Sequence, residues 1–163
     1  MKEALLTTAQ QLEPPAETAV REFEDKWEQM AAAGTRQLMA RPDLAKLVGK
    51  GNEQMAEDNN RNFPRFMVSL FSDYQPAVFV ETVLWVFRAY RSHGFQTTYW
   101  AANLNIWVDL LQKGLSADAW KQIHPFYNWL IVNIPQFTAV TDTDLAASVS
   151  DSPDHLHGAG TQK

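Results

Sequence analysis

The chain has 163 residues, of which 45% are hydrophobic and 12% aromatic, enough apolar side chain for one domain with a single core. The formal net charge of -5 argues against nucleic acid as a partner, because each neutralised phosphate requires a nearby Lys or Arg. Absence of cysteine excludes disulfides, thiolate nucleophiles and cysteine-ligated metals. No run of 18 apolar residues occurs, so we expect a cytoplasmic protein with no membrane partner.

The first half of the chain shows helical spacing in three stretches. After a loose start, a helix is predicted over 15–39, where apolar residues recur every three or four positions. A short helix is expected after Pro42 and ends before a Gly-Lys-Gly turn. Helical spacing returns over 52–71, where Pro64 is expected to kink the helix or divide it in two.

The strongest helical pattern covers 76–93. Beside its main apolar row runs a second one that includes Val78 and Trp85, and so broad a face is typical of a helix inside the domain. We therefore predict that this helix is largely buried. Gly94 is expected to end it in a left-handed conformation.

Two further helices are predicted to form an antiparallel hairpin. Thr97 or Thr98 is expected to cap a helix that runs to Lys113, and Ser116 to cap one that runs to Asn133. The loop between them has only one or two residues, which favours antiparallel neighbours.

Two prolines and a polar tail define the C-terminal part. Pro125 is expected to bend the last helix and Pro135 to mark its end. Beyond residue 140 large apolar residues become rare. We therefore predict one helical domain over 1–140 and a disordered tail over 141–163. Because no strand pattern of any length occurs, the expected fold is an all-α bundle of five to seven helices.

Catalytic motifs are not recognisable in the sequence. It contains no nucleophile elbow, no phosphate-binding glycine loop and no set of metal ligands at helical spacing. His93 and His124 are interpreted as ordinary helix-terminal residues, with a place in a pocket as the alternative. We therefore expect no catalytic residues, no metal site and no enzyme activity.

A family resemblance starts at the run Phe87-Arg-Ala-Tyr-Arg-Ser-His-Gly-Phe-Gln-Thr-Thr-Tyr-Trp. Together with the two following helices and the turn Gly114-Leu-Ser-Ala-Asp-Ala-Trp, it resembles the last three helices of bacterial globins over about 76–134. In that family the haem-ligating histidine stands one turn before the glycine, and here Tyr90 occupies that position. The chain is therefore similar to haem-less globin-type sensor domains.

The resemblance implies a ligand pocket between the helices predicted over 52–71 and 76–93, where haem would lie. The implied lining residues are Met55, Asn59, Phe63, Phe66, Met67, Phe79, Val83, Val86 and Tyr90. Aromatic and Met side chains are equally typical of a solid core without a cavity.

Two functions remain open at this point. The first is a non-enzymatic, globin-like sensory or protein-interaction domain without a cofactor, which binds a small apolar ligand or a partner protein and forms a homodimer. For this function we expect Trp100 or Trp129 to leave apolar surface exposed. The alternative is a carrier of haem or another tetrapyrrole with Tyr90, His93 or His124 as the axial ligand.

Overall fold

The computed structural model of the protein describes residues 1–150, and all regular elements in this part are helices. They are α1 (Lys2–Ala9), α2 (Glu17–Met39), α3 (Leu44–Val48), α4 (Glu53–Ser72), α5 (Pro76–Ser92), α6 (Thr97–Gly114), α7 (Ala117–Val132) and α8 (Ile134–Ser150). The predicted all-α class is confirmed. The described part contains eight helices, however, and not five to seven.

The additional helices lie at the two ends of the described chain. α1 occupies the predicted loose start, and its eight residues are too few to show a clear period, although Leu5 and Ala9 are fully buried. α8 begins at Ile134, so Pro135 lies in its first turn, where proline is tolerated because its missing N–H has no helical partner to lose. The domain boundary predicted after residue 140 falls within α8. The rest of the predicted tail, 151–163, lies outside the described residues.

Predicted caps and breaks agree with the structure in part. Ser116 caps α7, where its hydroxyl accepts a hydrogen bond from the amide of Ala119 at 3.2 Å. Gly94 has a φ of 103° and ends α5 as predicted. The predicted threonine cap of α6 is wrong, because Gln96 precedes the helix and makes no side-chain cap bond. Pro64 lies inside α4 and does not divide it.

The prediction that α5 is buried on two apolar rows is wrong for the second row. Phe79 and Val83 of the main row are buried, whereas Trp85 is 62% exposed and Val78 is 46% exposed. α5 packs against α1 and α8, and these contacts leave the second row at the surface.

The expectation of exposed apolar surface at Trp100 or Trp129 is also wrong. Trp100 is 5% exposed and Trp129 is 4% exposed. The indole N–H of Trp129 donates to the hydroxyl of Thr8 on α1 at 2.9 Å, so α1 covers the edge at which this side chain was expected to show.

The helices surround one core. α2 packs against α4, α6 and α7, while α6 also packs against α7 and α8, so α6 lies among most of the other helices. α4 and α5 are not a closely packed pair within residues 1–150. None of the helices in this part is both long and apolar enough to cross a membrane.

Candidate functional site

A small cavity lies where α4, α5, α6, α7 and α8 meet. Its volume is about 20 Å³, which is room for one water molecule. The walls are mainly aliphatic and aromatic, with three asparagines among them. The cavity is lined by Asn59, Asn60, Phe63, Val83, Val86, Phe87, Trp100, Asn103, Leu104, Trp107, Leu130 and Phe137. We call it the Asn103 cavity.

A buried hydrogen-bond network fixes the orientation of two of these asparagines. Asn60 Oδ1 accepts from Trp107 Nε1 at 3.0 Å and from Asn103 Nδ2 at 2.8 Å. An indole nitrogen only donates, so the atom that Asn60 presents to it must be its oxygen. Asn103 must then present its NH₂ group to the same oxygen. The carbonyl Oδ1 of Asn103 is thereby left free to accept.

Two polar atoms at this cavity have no hydrogen-bond partner among the described residues. They are Trp100 Nε1, which is a donor, and Asn103 Oδ1, which is an acceptor. Both residues are buried, at 5% and 4% exposure. Leaving a buried polar group unpartnered costs about 1–3 kcal/mol. Two residues that line the cavity thus each carry one buried, unpartnered atom, a donor on Trp100 and an acceptor on Asn103.

Stacking holds the indole of Trp100 in place. Its ring lies on that of Phe87 with 4.6 Å between the ring centroids and 19° between the planes, and Tyr99 packs edge-on against it. Tyr99 is itself fixed, since its hydroxyl accepts from Asn59 Nδ2 at 3.1 Å, and burial raises the pKa of this hydroxyl above its ordinary value. The donor thus belongs to a rigid wall.

The way to solvent lies between α4 and α5. Phe63 on α4 and Val86 on α5 are half-buried, and the other lining residues are buried. The ring of Phe63 packs against that of Phe66, with 6.0 Å between the centroids. We therefore expect movement of the Phe63 side chain to open the cavity.

The structure brings four of the nine predicted pocket residues to this cavity, namely Asn59, Phe63, Val83 and Val86. The other five predicted residues do not line the cavity. Met67 and Phe79 are buried in the hydrophobic core, and Met55, Phe66 and Tyr90 are partly buried and pack against that core.

Sequence reasoning missed the contribution of α6. Trp100, Asn103, Leu104 and Trp107 stand at intervals of three and four, so they share one helix face. An asparagine within a row of tryptophan and leucine was the available signal, because a polar group in an apolar stripe requires a partner.

The three candidate haem ligands do not lie at the cavity. His93 is exposed at the end of α5, and its Nδ1 lies 2.7 Å from the carbonyl oxygen of Ala89. The ring of His124 packs at a tilt against that of Trp120, with 4.5 Å between the centroids. Tyr90 packs against Phe95, and burial raises its pKa to about 12. These residues do not fit an axial ligand for a haem in the Asn103 cavity.

The cavity carries no side chain suited to acid–base chemistry. Its walls consist of amide, indole, phenyl and aliphatic groups. Within residues 1–150 no group of three or more His, Asp or Glu side chains is placed to hold a metal ion.

No protein-family model, no curated protein and no solved structure matches the chain.

Proposed function

We propose that the protein is a non-enzymatic, globin-like sensory domain that binds one small, uncharged molecule in the Asn103 cavity. The observation that carries the proposal is the pair of buried, unpartnered atoms, Trp100 Nε1 and Asn103 Oδ1. A hydroxyl group can accept from the first and donate to the second. Because the cavity as it stands has room for only one water molecule, we expect a ligand whose hydroxyl takes that place and whose short apolar body lies in space that opens when Phe63 moves.

The walls support binding without chemistry. Apolar surface lined by a few oriented polar groups is typical of ligand sites, and the polar groups determine which ligand is accepted. Amides and indoles do not ionise near neutral pH and so do not serve as general acids or bases, and this favours a binding domain over an enzyme.

A hydrogen-bonded chain supports the sensory part of the proposal. From the cavity, Asn103 donates to Asn60, and Asn60 Nδ2 donates to Thr35 Oγ1 on α2 at 3.3 Å. Thr35 lines a surface groove between α2 and α4. A ligand that displaces Asn103 would therefore shift contacts at the α2 surface, where a partner protein can detect the change.

The test uses n-butanol as a probe and n-butyl chloride as a molecule of similar size without a donor. Proton–nitrogen NMR resolves the indole N–H groups of the six tryptophans, and Trp100→Phe assigns the relevant peak. We expect n-butanol to shift the Trp100 peak saturably, while the chloride shifts it much less. The Trp120 peak should not move, because Trp120 does not line the cavity.

Substitutions on α6 provide matched variants. Asn103→Leu removes the acceptor and should abolish the saturable shift, whereas Asn105→Leu changes an exposed asparagine on the same helix and should leave it intact. Equal, linear shifts of all indole peaks with n-butanol concentration would show a bulk solvent effect and refute the proposed site.

A further inference from the structure

Trp85 is a large apolar side chain that stays mostly exposed among residues 1–150. It is 62% exposed at the middle of α5, and Val78, two turns earlier on the same face, is 46% exposed. Thr82 lies between Val78 and Trp85 on this face, and Ala89 lies one turn after Trp85. Both side chains are small. Tryptophan at the surface is rare, and at interfaces it is often the residue that contributes most to binding.

We propose that this surface is the contact through which two copies of the chain associate, with their α5 helices antiparallel. We call it the Trp85 face and define it by Val78, Glu81, Thr82, Trp85, Arg88 and Ala89. The inference goes beyond the proposed sensory function, and it does not depend on what binds in the Asn103 cavity.

The charges of the face are complementary to themselves. An α-helix rises 1.5 Å per residue, so Glu81 lies about 6 Å before Trp85 along the helix axis and Arg88 about 4.5 Å after it. Because each residue is rotated by 100° from the one before, both Glu81 and Arg88 lie on the same side of Trp85 around the helix. A two-fold axis beside Trp85 and perpendicular to α5 places Glu81 of each copy opposite Arg88 of the other. If the two α5 helices were parallel, each residue would lie at the same position along the helix axis as its own copy, and Glu81 would not lie opposite Arg88.

Contacts within the chain orient both charges. Glu81 forms an ion pair with Lys2 of α1, and Arg88 Nη1 lies 2.6 Å from Asp144 Oδ2 of α8. Each ion pair uses one atom of its charged group. The second carboxylate oxygen of Glu81 and the other guanidinium nitrogens of Arg88 can therefore bind across the two-fold axis. Their side chains are also partly exposed, at 54% and 36%.

Small residues allow the two helices to approach. In the antiparallel arrangement Thr82 of one copy faces Ala89 of the other, since these residues stand at similar distances before and after Trp85. A single helix face covers less area than the roughly 800 Å² per partner of a standard interface. We therefore expect a micromolar rather than a nanomolar dissociation constant.

Sedimentation equilibrium of the full chain tests the proposal. Wild type should show a monomer–dimer equilibrium, and Trp85→Ala should be monomeric at the same concentrations. Val132→Ala, which alters an exposed apolar residue on α7, should dimerise as wild type does. A monomeric wild type at millimolar concentration would overturn the proposal. So would a dimer unaffected by Trp85→Ala.

Charge reversal tests the antiparallel arrangement. Glu81→Arg alone sets Arg against Arg, and Arg88→Glu alone sets Glu against Glu, so each variant should be monomeric. When the two variants are mixed, every pair across the axis is of opposite sign, and a heterodimer should form. Circular dichroism of each variant confirms folding. Failure of the mixture to associate, with both variants folded, would refute the antiparallel pairing while leaving the Asn103 cavity untouched.

Discussion

Trp100 and Asn103 stand about one turn apart on α6 and line the same cavity, and neither the indole nitrogen of Trp100 nor the side-chain oxygen of Asn103 has a partner within residues 1–150. Both are held by other contacts: Trp100 by its stack on Phe87, and Asn103 by its bond to Asn60. Neither side chain can therefore satisfy its free atom by a simple rotation. These contacts keep an unpartnered donor and an unpartnered acceptor among the residues that line the cavity.

Asn60 is expected to stabilise the fold more than any other asparagine at the cavity. Asn60→Leu leaves both Trp107 Nε1 and Asn103 Nδ2 buried without an acceptor, at about 1–3 kcal/mol each. We predict that the free energy of unfolding, measured by urea denaturation, falls by about 3 kcal/mol. Asn62→Leu on the exposed side of α4 serves as the control and should change it by less than about 0.5 kcal/mol.

Two buried tyrosines should respond in opposite ways to loss of the hydroxyl. The Tyr127 hydroxyl is buried and has no partner in the described part, whereas that of Tyr99 accepts from Asn59. Tyr127→Phe should therefore raise the free energy of unfolding by about 1 kcal/mol, and Tyr99→Phe should lower it by a similar amount. Thermal unfolding of both variants beside wild type measures the difference. A loss of stability in Tyr127→Phe would show that its hydroxyl has a partner in solution.

Alkaline pH should destabilise the protein through its tyrosines. Burial raises the pKa of Tyr74 and of Tyr90 to about 12, whereas a tyrosine in the unfolded chain ionises near pH 10. Between these values the unfolded chain releases protons that the folded protein keeps, so stability is intact below about pH 10 and falls as pH rises toward 12. The urea midpoint should drop between about pH 10 and 12, and by less in Tyr90→Phe. An equal drop in this variant would exclude Tyr90 as a contributor.

Haemin should not form a stoichiometric complex at the Asn103 cavity. The cavity is about 20 Å³, and Tyr90, His93 and His124 all lie outside its lining. Titration with haemin should give the broad absorption of the free compound, unchanged by Tyr90→Phe, His93→Ala or His124→Ala. A sharp Soret band that one of these variants removes would favour the tetrapyrrole carrier and identify its ligand.

Helical spacing predicted most of the fold because it records which faces are buried. It located α2 within two residues, and the Ser116 and Gly94 boundaries followed from local backbone chemistry. The polar residues of α8 suggested disorder, but Arg91 of α5 donates to Thr141, and Arg88 pairs with Asp144. Polar residues can thus form a packed helix when their partners come from a helix some 50 residues away, and a local pattern does not show such partners.

The site was less accessible to sequence reasoning for a related reason. The predicted pocket used α4 and α5, and its members Asn59, Phe63, Val83 and Val86 do line the cavity. Asn103 lies in an apolar row of α6. The sequence therefore indicates that its side chain needs a hydrogen-bond partner, but it does not identify that partner. Which oxygen remains free depends on the bonds among Asn60, Asn103 and Trp107, and those require the three-dimensional arrangement.

Phe63 should control which molecules enter the Asn103 cavity. It is half-buried at the opening between α4 and α5, so Phe63→Ala removes the largest side chain there and joins its volume to the cavity. We predict tighter binding of n-hexanol relative to n-butanol in this variant, measured by the shift of the Trp100 indole peak. Phe66→Ala is the matched control, because Phe66 packs on Phe63 but does not line the cavity. If both variants prefer the longer alcohol equally, the effect arises from a loosened core, and the opening lies elsewhere than at Phe63.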